Sequence, residues 1–351
     1  MSTGDLIDVV EASYRVDLSE TEWLAAVYDA ALPHLDRGLG GSAFFYDASD
    51  ITNLRVRGFI GDGEAPESTI AAIESASPAR TEWVFRTQAC QTASEGPNGT
   101  DHPGLELFRS LGYEDVLFVN GVDPSGKGVF LSARLKKRST LSRTTMKSWG
   151  WVAAHIAAGF RLRAQAAAAN GPSSFLSRAE VILSPRGEIE HVAKALEEDR
   201  RTMSRAVSVL KSTALSIQRA RGKLRRTSEA EALSGWRALS GARWTMLDHF
   251  DRGGRRHLLA CANEHKIPQP ETLSLRERQV LAFAALGHQN TLIGYELGIT
   301  ASTVGVLLLR AIRKLSASSR QEAIDIFRRL SSATAATGEH PNAPAPNYLR
   351  R

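Results

Sequence analysis

The feature that most constrains this chain is the run 273–315, because its glycines and helix caps divide it into three short helices. Ser274 followed by Glu277 has the spacing of a capping box, which starts a first helix. Gly287 ends that helix, and Gly298 permits a tight turn between the second helix and the third. Apolar residues at helical spacing give these helices and a fourth one a buried side: Val280, Leu281, Ala284, Ala285, Ile293, Leu297, Val304, Leu308, Ile312, Leu315, Ala323, Ile324 and Phe327. The pattern predicts an all-α unit of four helices.

This unit resembles the LuxR-type helix-turn-helix domain over about 270–331. The matching residues are Arg276, Glu277, Val280, Leu281, Gly287, Asn290, Ile293, Leu297, Gly298, Ile299, Ser302, Thr303, Val304, Val306, Arg310, Lys314 and Leu315. The resemblance implies a domain that is usually dimeric on DNA, in a transcription regulator, with its third helix in the major groove.

The third helix departs from the family pattern at several positions. The family usually has Lys just after the Thr-Val pair and His two residues later, where this chain has Gly305 and Leu307. The second helix often opens with Lys-Glu, where this chain has Thr291 and Leu292, and Leu309 replaces a residue that is ordinarily polar. Several phosphate contacts of the family are therefore missing.

Two hypotheses follow for the third helix. In the first, DNA binding survives: Thr303, Val306 and Leu309 touch base edges, where apolar groups can contact thymine methyls, and nearby Arg and Lys side chains hold phosphates. The candidate DNA-binding residues are Arg276, Arg278, Thr291, Ser302, Thr303, Gly305, Val306, Leu309, Arg310, Arg313 and Lys314. In the second, an exposed apolar surface at 307–309 binds another protein. A purely structural alternative is that Leu307 and Leu308 only extend the domain core.

The charge of the chain is compatible with a double-stranded DNA partner. The net charge is +6, and residues 272–331 contain eight Lys/Arg against four Asp/Glu. A moderate basic excess of this kind favours a polyanionic partner without identifying one.

Residues 1–165 combine amphipathic helices with short β-rich runs, in an order that resembles GAF-like domains. An amphipathic helix is predicted before Gly38, a hairpin over 115–135, and a closing helix that carries His155 as a packed or interface histidine. A cluster of aromatic side chains either lines a pocket for a small apolar ligand or forms ordinary core: Phe44, Phe45, Tyr46, Trp83, Phe85, Phe108, Tyr113 and Phe118.

Residues 176–264 begin and end with hairpins, in a layout that resembles a small PAS-like domain with a long helix. Met203, Leu210, Ile217 and Leu224 recur every seven residues in that helix. Such a stripe either pairs with its copy in a homodimer or packs on the sheet of its own domain. The same region, 194–226, has ten Lys/Arg against three Asp/Glu, which indicates a solvated face or, alternatively, a DNA contact.

Several classes of protein are disfavoured by what the sequence does not contain. The N-terminus has no basic and apolar signal-peptide pattern, and no apolar run is long enough to cross a bilayer. Neither a phosphate-binding loop nor a catalytic constellation emerges, and Cys90 and Cys261 suggest neither a disulfide framework nor a metal site. We therefore expect a cytoplasmic protein that is not an enzyme and needs no cofactor or metal. The Pro-rich segment 332–351 is predicted to be disordered.

The sequence as a whole predicts an α+β multidomain chain. Two antiparallel-sheet, sensor-like domains, 1–165 and 176–264, precede the all-α helix-turn-helix domain at 270–331. The expected function is that of a homodimeric DNA-binding transcription regulator controlled by its N-terminal domains. The alternative is a regulator that has lost DNA binding and uses its apolar third helix to contact proteins.

Overall fold

The first sheet is a five-stranded antiparallel sheet with the strand order β2-β1-β5-β4-β3. The computed structural model describes residues 5–61, 66–96, 108–169, 171, 174–198, 200–263, 265 and 272–336. The strands are β1 Gly41–Asp47, β2 Arg55–Gly61, β3 Cys90–Thr92, β4 Asp115–Val122 and β5 Lys127–Leu135. The hairpin predicted over 115–135 is confirmed as β4 and β5, with Val122 opposite Gly128 beside the turn.

The helices of this region lie against both faces of the sheet. They are α1 Leu6–Ser13, α2 Glu20–Leu35, α3 Pro66–Glu74, α4 Pro78–Thr81 with a π-helical turn Glu82–Thr87 directly after it, and α5 Arg143–Ala167. Because side chains alternate along a strand, Phe45 packs with α1, α2 and α5, while Phe44 and Tyr46 point to the other face, where Phe85 of the π-helical turn lies. That second face carries most of the aromatic side chains.

The covering helices approach one another closely at the end of α1. The indole Nε1 of Trp23 donates a hydrogen bond of 3.0 Å to the carbonyl of Ser13. A Cβ at Gly159 of α5 would lie 2.0 Å from that same carbonyl oxygen, so only glycine fits this crossing. The amphipathic helix predicted before Gly38 is confirmed as α2, because Trp23, Val27, Ala31 and Leu35 at its i, i+4 positions are all buried.

The second sheet is four-stranded and antiparallel, with the order β7-β6-β9-β8. Its strands are β6 Ala179–Leu183, β7 Ile189–Val192, β8 Trp244–Phe250 and β9 Arg256–Ala262. The helices are α6 Ser174–Arg178, α7 Lys194–Glu197, α8 Arg200–Arg219 with a π-helical turn Ala220–Leu224, α9 Arg225–Thr227 and α10 Glu229–Gly235. Both predicted hairpins are confirmed, and a continuous hydrophobic core joins this sheet to α5 of the first region.

The seven-residue stripe of α8 packs inside its own chain. Leu210 and Ile217 are buried in the core that also contains the strands of the second sheet, and Met203 and Leu224 are half-buried against it. Of the two alternatives for this stripe, the structure supports packing on its own domain. The expectation that these residues form the seam of a homodimer is therefore wrong for this arrangement, because the apolar surface is already covered.

The basic residues near the end of this helix are also paired within the chain. Arg225 forms ion pairs with Asp5, Asp8 and Glu11 of the N-terminal segment, and Arg221 pairs with Glu11. Burial opposes the charge of Arg225, but the hydrogen bonds that its guanidinium donates to Asp5 and Asp8 outweigh this effect and raise its pKa. These two arginines hold α1 against the second sheet region and are not displayed for DNA.

The C-terminal region consists of four helices, as predicted. They are α11 Leu275–Ala285, α12 Asn290–Leu297, α13 Ala301–Lys314 and α14 Arg320–Ala336. The last helix corrects the predicted disordered tail, because residues 332–336 continue α14. Residues 337–351 lie outside the described part of the chain.

Within the described ranges, no single helix is both long and apolar enough to cross a membrane. The helices α12 and α13 pass that test only as a pair, by length and composition, and they are bent by 103° relative to each other. This bend is the turn between the second and third helices of the four-helix unit.

We predict that Leu210→Ala lowers the free energy of unfolding by about 2–5 kcal/mol, because it removes a fully buried side chain and leaves a cavity. Urea denaturation followed by circular dichroism measures the effect. Leu215→Ala is the matched control on the same helix, and because Leu215 is 43% exposed we expect its effect to stay within roughly 0.5 kcal/mol. A Leu210 variant of unchanged stability but altered oligomeric state would contradict the intrachain packing.

Candidate nucleic-acid interface

The first helix of the C-terminal unit is fixed at both ends by the residues that the sequence indicated. The Ser274 hydroxyl accepts from the backbone N–H of Glu277, and the Glu277 carboxylate accepts from the backbone N–H of Ser274. Gly287 has a positive φ of 75° just after the helix, a conformation that favours glycine. The predicted capping box and helix end are both confirmed.

The turn between α12 and α13 sets the direction of the third helix. Gly298 lies in the left-handed region with φ 62°, and the N–H of Ile299 donates to the carbonyl of Gly294 at 2.9 Å. The Thr300 hydroxyl then caps α13 by accepting from the N–H of Thr303 at 3.1 Å. This arrangement is the tight turn that a helix-turn-helix requires.

Opposite sides of α13 differ sharply in exposure. Val304, Leu308 and Ala311 are buried against the other three helices. Leu307 is half-buried and packs against the same core. The alternative that these leucines only extend the domain core is therefore correct for Leu308 and partly correct for Leu307. Of the three leucines in the apolar surface predicted at 307–309, Leu309 alone is exposed.

The outer side of α13 forms a single exposed strip, which we call the reading face. At about 100° per residue, its six side chains fall within roughly 120° of the helix circumference. All of them are exposed: Ser302, Thr303, Val306, Leu309, Arg310 and Arg313. The strip carries hydroxyls at its N-terminal end, apolar groups in the middle and two arginines at its C-terminal end. Val306 and Leu309, at 48% and 55% exposure, stand out as large apolar side chains in water.

Three of the predicted basic residues lie away from the reading face. Arg276 donates to the carbonyl of Gly241 in the second sheet region, which ties it to the rest of the chain. Lys314 reaches the Glu277 carboxylate at 2.8 Å, and Arg278 is half-buried. Burial opposes the charge of Glu277, but the hydrogen bonds from Lys314 and Ser274 hold its pKa below the usual value.

The two remaining candidates lie beside the reading face. Thr291 is exposed near the start of α12. Gly305 is partly exposed, and a Cβ built there would meet only the Nδ2 atom of Asn290, at 3.8 Å. A larger side chain at 305 therefore fits without displacing the backbone.

Sequence reasoning missed a basic residue beside the start of α13. Arg237, from the segment between α10 and β8, is exposed and donates to the carbonyl of Ile299 at 3.1 Å. This contact places a positive charge from the second sheet region next to the N-terminus of the reading helix, where phosphates bind favourably. No local signal marks Arg237, because its partner is 62 residues away in sequence.

The C-terminal unit is joined to the rest of the chain by a buried cluster around His155. The Tyr14 hydroxyl lies 2.7 Å from His155 Nδ1, and the Tyr295 hydroxyl lies 2.7 Å from His155 Nε2. The Tyr295 hydroxyl also reaches the carbonyls of Leu233 and Trp236, at 2.8 and 2.6 Å. One neutral tautomer with its proton on Nε2 satisfies these contacts: His155 accepts from Tyr14 and donates to Tyr295, which donates to a carbonyl.

Burial decides the protonation state of this cluster. His155 is fully buried, and desolvation lowers its pKa to about 3 despite the neighbouring Trp236 carbonyl. Tyr295 also stacks on Trp151 with ring centroids 4.9 Å apart. Neutral His155 therefore serves as a packed interface histidine, as predicted, and it connects α1, α5 and α12.

A second contact with the first sheet region lies on the other side of the unit. Arg328 of α14 forms a 3.2 Å ion pair with Glu82 of the π-helical turn, and a Cβ at Gly287 would lie 3.1 Å from the carbonyl of Thr87. The four-helix unit thus touches both sheet regions while its reading face stays exposed.

The structure also tests the predicted aromatic cluster of the first region. A cavity of about 90 Å³ lies on the second face of the sheet. Five residues of the predicted set line it: Phe44, Phe85, Phe108, Tyr113 and Phe118. The other three belong to the surrounding core, with Phe45 on the opposite face. The cluster therefore combines a cavity wall with ordinary core.

The bent helix pair, its caps and the exposed reading face define a helix-turn-helix domain of the DNA-binding class. Residues 271–327 match the family model of bacterial regulatory proteins of the luxR family. Over 67 residues the chain is 45% identical to the HTH-type transcriptional activator RamA of Corynebacterium glutamicum, which covers 19% of this chain and 24% of RamA. The chain thus matches about a quarter of the length of this curated relative, and the LuxR-type resemblance of the C-terminal unit is confirmed.

We predict that stability falls below about pH 6.5, because His155 binds a proton in the unfolded chain but not in the folded one until about pH 3. The unfolded state binds the extra proton throughout that window, so the free energy of unfolding rises with pH. His155→Gln should remove up to ~1.4 kcal/mol per pH unit from this slope. Denaturation midpoints at several values between about pH 4.5 and 6 measure it.

The control for this prediction is His191→Gln, which removes an exposed histidine of β7 and should leave the slope unchanged. His265, whose pKa is also lowered by burial, is present in every variant and cancels in the comparison. Equal slopes for the wild-type chain and His155→Gln would show that His155 is not buried in its neutral form.

Proposed function

We propose that this chain is a DNA-binding transcription regulator whose helix α13 enters the major groove. The observation that carries the proposal is the reading face, a solvent-exposed strip of hydroxyl, apolar and arginine side chains opposite a buried core. The match of residues 271–327 to the luxR family model supports it. A regulator of this kind works on cytoplasmic DNA and has no need of catalytic residues.

The reading face suggests a division of roles along α13. Thr303, Val306 and Leu309 contact base edges, where the apolar pair is suited to thymine methyl groups. Arg310 and Arg313 hold phosphates and set the register of the helix in the groove. Arg237 adds a phosphate contact at the other end. Arg276 and Lys314, which already have partners within the chain, contribute less than their position in the sequence suggested.

We further propose that the chain binds DNA as a homodimer controlled by its GAF-like and PAS-like N-terminal regions. Helix-turn-helix dimers read two half-sites about one helical turn apart, which matches protein symmetry to operator symmetry. Because the stripe of α8 is buried within the chain, the dimer contact lies elsewhere. The position of the C-terminal unit against both sheet regions gives those regions a direct route to the reading helix.

We predict that the full chain binds mixed-sequence duplex DNA with an affinity that falls steeply as salt rises, because phosphate neutralisation releases counterions. Arg313→Gln should weaken binding and reduce the log–log salt slope by about 0.9, the value for one lost phosphate contact. Fluorescence anisotropy at several salt concentrations measures both quantities, and a titration at high DNA concentration gives the number of chains per duplex.

Arg37→Gln serves as the charge-matched control, since Arg37 is exposed in the first region and far in sequence from the reading helix. It should leave both the affinity and the salt slope unchanged. If the wild-type chain fails to bind at low salt, or if both variants change the slope equally, α13 does not make the proposed phosphate contacts.

A second candidate function rests on one observation, the exposure of Val306 and Leu309 in the middle of the reading face. Apolar groups of this size on a surface can also bind a partner protein. In that case the chain would be a regulator without DNA affinity. The substitution that separates the two functions lies at Gly305, where the luxR family usually has lysine.

We predict that Gly305→Lys strengthens binding to mixed-sequence DNA several-fold, because it adds a phosphate contact beside a helix that already lies in the groove. The side chain fits, since only Asn290 lies near its Cβ position. Replacing glycine in the helix also favours folding by roughly 0.5–1 kcal/mol. Gly305→Ala controls for that gain in helix stability and should leave DNA affinity nearly unchanged. Equal affinities for the lysine and alanine variants would favour the protein-binding function.

A further inference from the structure

The cavity of the first region is apolar on most of its wall but has two charged residues, Arg80 and Arg134, in its lining. Phe44, Phe118 and Phe130 form a stack of rings across the sheet, with centroid separations of 5.0 and 5.2 Å. Arg80 also lines the cavity, although it is only 5% exposed. A buried guanidinium in such surroundings is costly unless its donors and its charge are both satisfied.

The hydrogen bonds of Arg80 are only partly satisfied by the protein. Its Nη2 atom donates to the carbonyl of Ala93 at 2.7 Å, and its guanidinium lies 5.2 Å from the Trp83 ring. Its buried Nη1 atom has no hydrogen-bond partner among the residues that the structure describes. Arg80, a residue of the cavity lining, thus carries a buried donor without a partner among those residues.

Asp115, the acid whose charge acts on Arg80, does not accept a hydrogen bond from the Nη1 atom. Asp115 is fully buried, and its two carboxylate oxygens accept from the N–H and hydroxyl of Ser94, at 3.0 and 2.6 Å. Burial lowers the pKa of Arg80 to about 10, while the charge of Asp115 acts in the opposite direction. Arg80 is therefore a cation at neutral pH, with Asp115 balancing part of its charge without bonding to it.

Ser42, Ser132 and Arg134, which also line the cavity, already have hydrogen-bond partners within the chain. The hydroxyls of Ser42 and Ser132 lie 2.8 Å apart on neighbouring strands. Arg134 also lines the cavity, and its guanidinium lies 5.5 Å from the Tyr113 ring. The lining therefore combines two cations and two hydroxyls with an aromatic floor.

We propose that this cavity binds a small apolar monocarboxylate. The carboxylate pairs with Arg80, and the hydrocarbon body packs against Phe44, Phe118 and Phe130. A guanidinium matches a carboxylate in charge and in planar geometry, and the pair is strongest where water is excluded. The volume of about 90 Å³ limits the body to a few carbon atoms or a single ring. A neutral amide of the same shape can accept a hydrogen bond from Arg80 through its carbonyl oxygen, but it does not balance the charge of the guanidinium.

This inference deepens the proposed function, because the wall of the cavity also touches the DNA-binding domain. Val84 and Phe85 of the π-helical turn line the cavity. In the same turn, Glu82 is the residue paired with Arg328 of α14. A ligand that moves this turn acts directly on the helix-turn-helix domain, so the monocarboxylate is assigned as the signal of the regulator.

The test compares ligands that differ only in charge. Isothermal titration calorimetry of the full chain, without DNA, is run with benzoate against benzamide and with isovalerate against isovaleramide. We expect at least one acid to bind, and to bind at least tenfold tighter than its amide. Absence of binding by both acids at millimolar concentration, or equal affinities within each pair, would overturn the proposal. This comparison needs no variant.

A second comparison assigns the effect to Arg80. Arg80→Met keeps the apolar packing of the side chain and should reduce acid binding at least tenfold, with little change for the amide. Arg37→Met removes an exposed charge outside the cavity and should change neither affinity. Near-ultraviolet circular dichroism establishes that each variant is folded. A folded Arg80→Met that binds the acid as the wild type does would also overturn the proposal.

Failure of this inference can be told apart from failure of the proposed function. If the chain binds DNA but neither acid, the proposed regulator function stands and the proposed ligand class is wrong. If the chain binds an acid through Arg80 but does not bind DNA, the proposed ligand site stands and the proposed regulator function is wrong. If both are present, the anisotropy titration repeated with saturating acid shows whether the ligand changes DNA affinity.

Discussion

The arrangement of the whole chain depends on the buried hydrogen bonds of His155. This one side chain bonds to Tyr14 at the end of the first helix and to Tyr295 in the helix-turn-helix domain, and it approaches the carbonyl of Trp236 to within 2.8 Å. A buried polar network of this kind stabilises only when every member is satisfied, because an unpaired group in a low-dielectric interior is costly. The network therefore fixes the segments that carry Tyr14, Trp236 and Tyr295 relative to one another.

This network explains why the DNA-binding domain is oriented as it is. Its helix α12 packs on α5 through Tyr295 and Trp151, while the reading face of α13 stays exposed to solvent. The first sheet region also contributes the ion pair of Arg328 with Glu82. The two sheet regions and the helix-turn-helix domain thus share hydrophobic clusters.

Local features of the fold could be predicted from the sequence, because their physical causes lie within a few residues. The capping box at Ser274 and the positive φ of Gly298 each follow from local chemistry. The stripe of α8 was ambiguous, since a seven-residue repeat suits a partner helix and a sheet equally well. The two alternatives are distinguished by the packing of Leu210 in one core with β6, and the helix sequence alone does not contain this tertiary contact.

The parts of the candidate sites that sequence reasoning missed are contacts over long sequence distances. Arg237 gains its role from a carbonyl at Ile299, and Arg80 from an aromatic cavity whose walls come from four strands, the helices α3 and α4 and a helical turn. Neither residue has a motif. Arg276 shows the converse, because its place in a family motif suggested a phosphate contact while its actual partner is the carbonyl of Gly241.

The glycine at the turn of the helix-turn-helix has a consequence for how such a domain can be exchanged. Gly298 is needed for the turn itself, but a Cβ there would also lie 1.9 Å from the carbonyl of Leu239 in the second sheet region. Asparagine, which often tolerates the same backbone conformation, would satisfy the turn and still collide with its neighbour. A related DNA-binding domain grafted onto these N-terminal regions must therefore match them at the interface as well as in its fold. In this chain the C-terminal domain is an integral part of the structure rather than an interchangeable module.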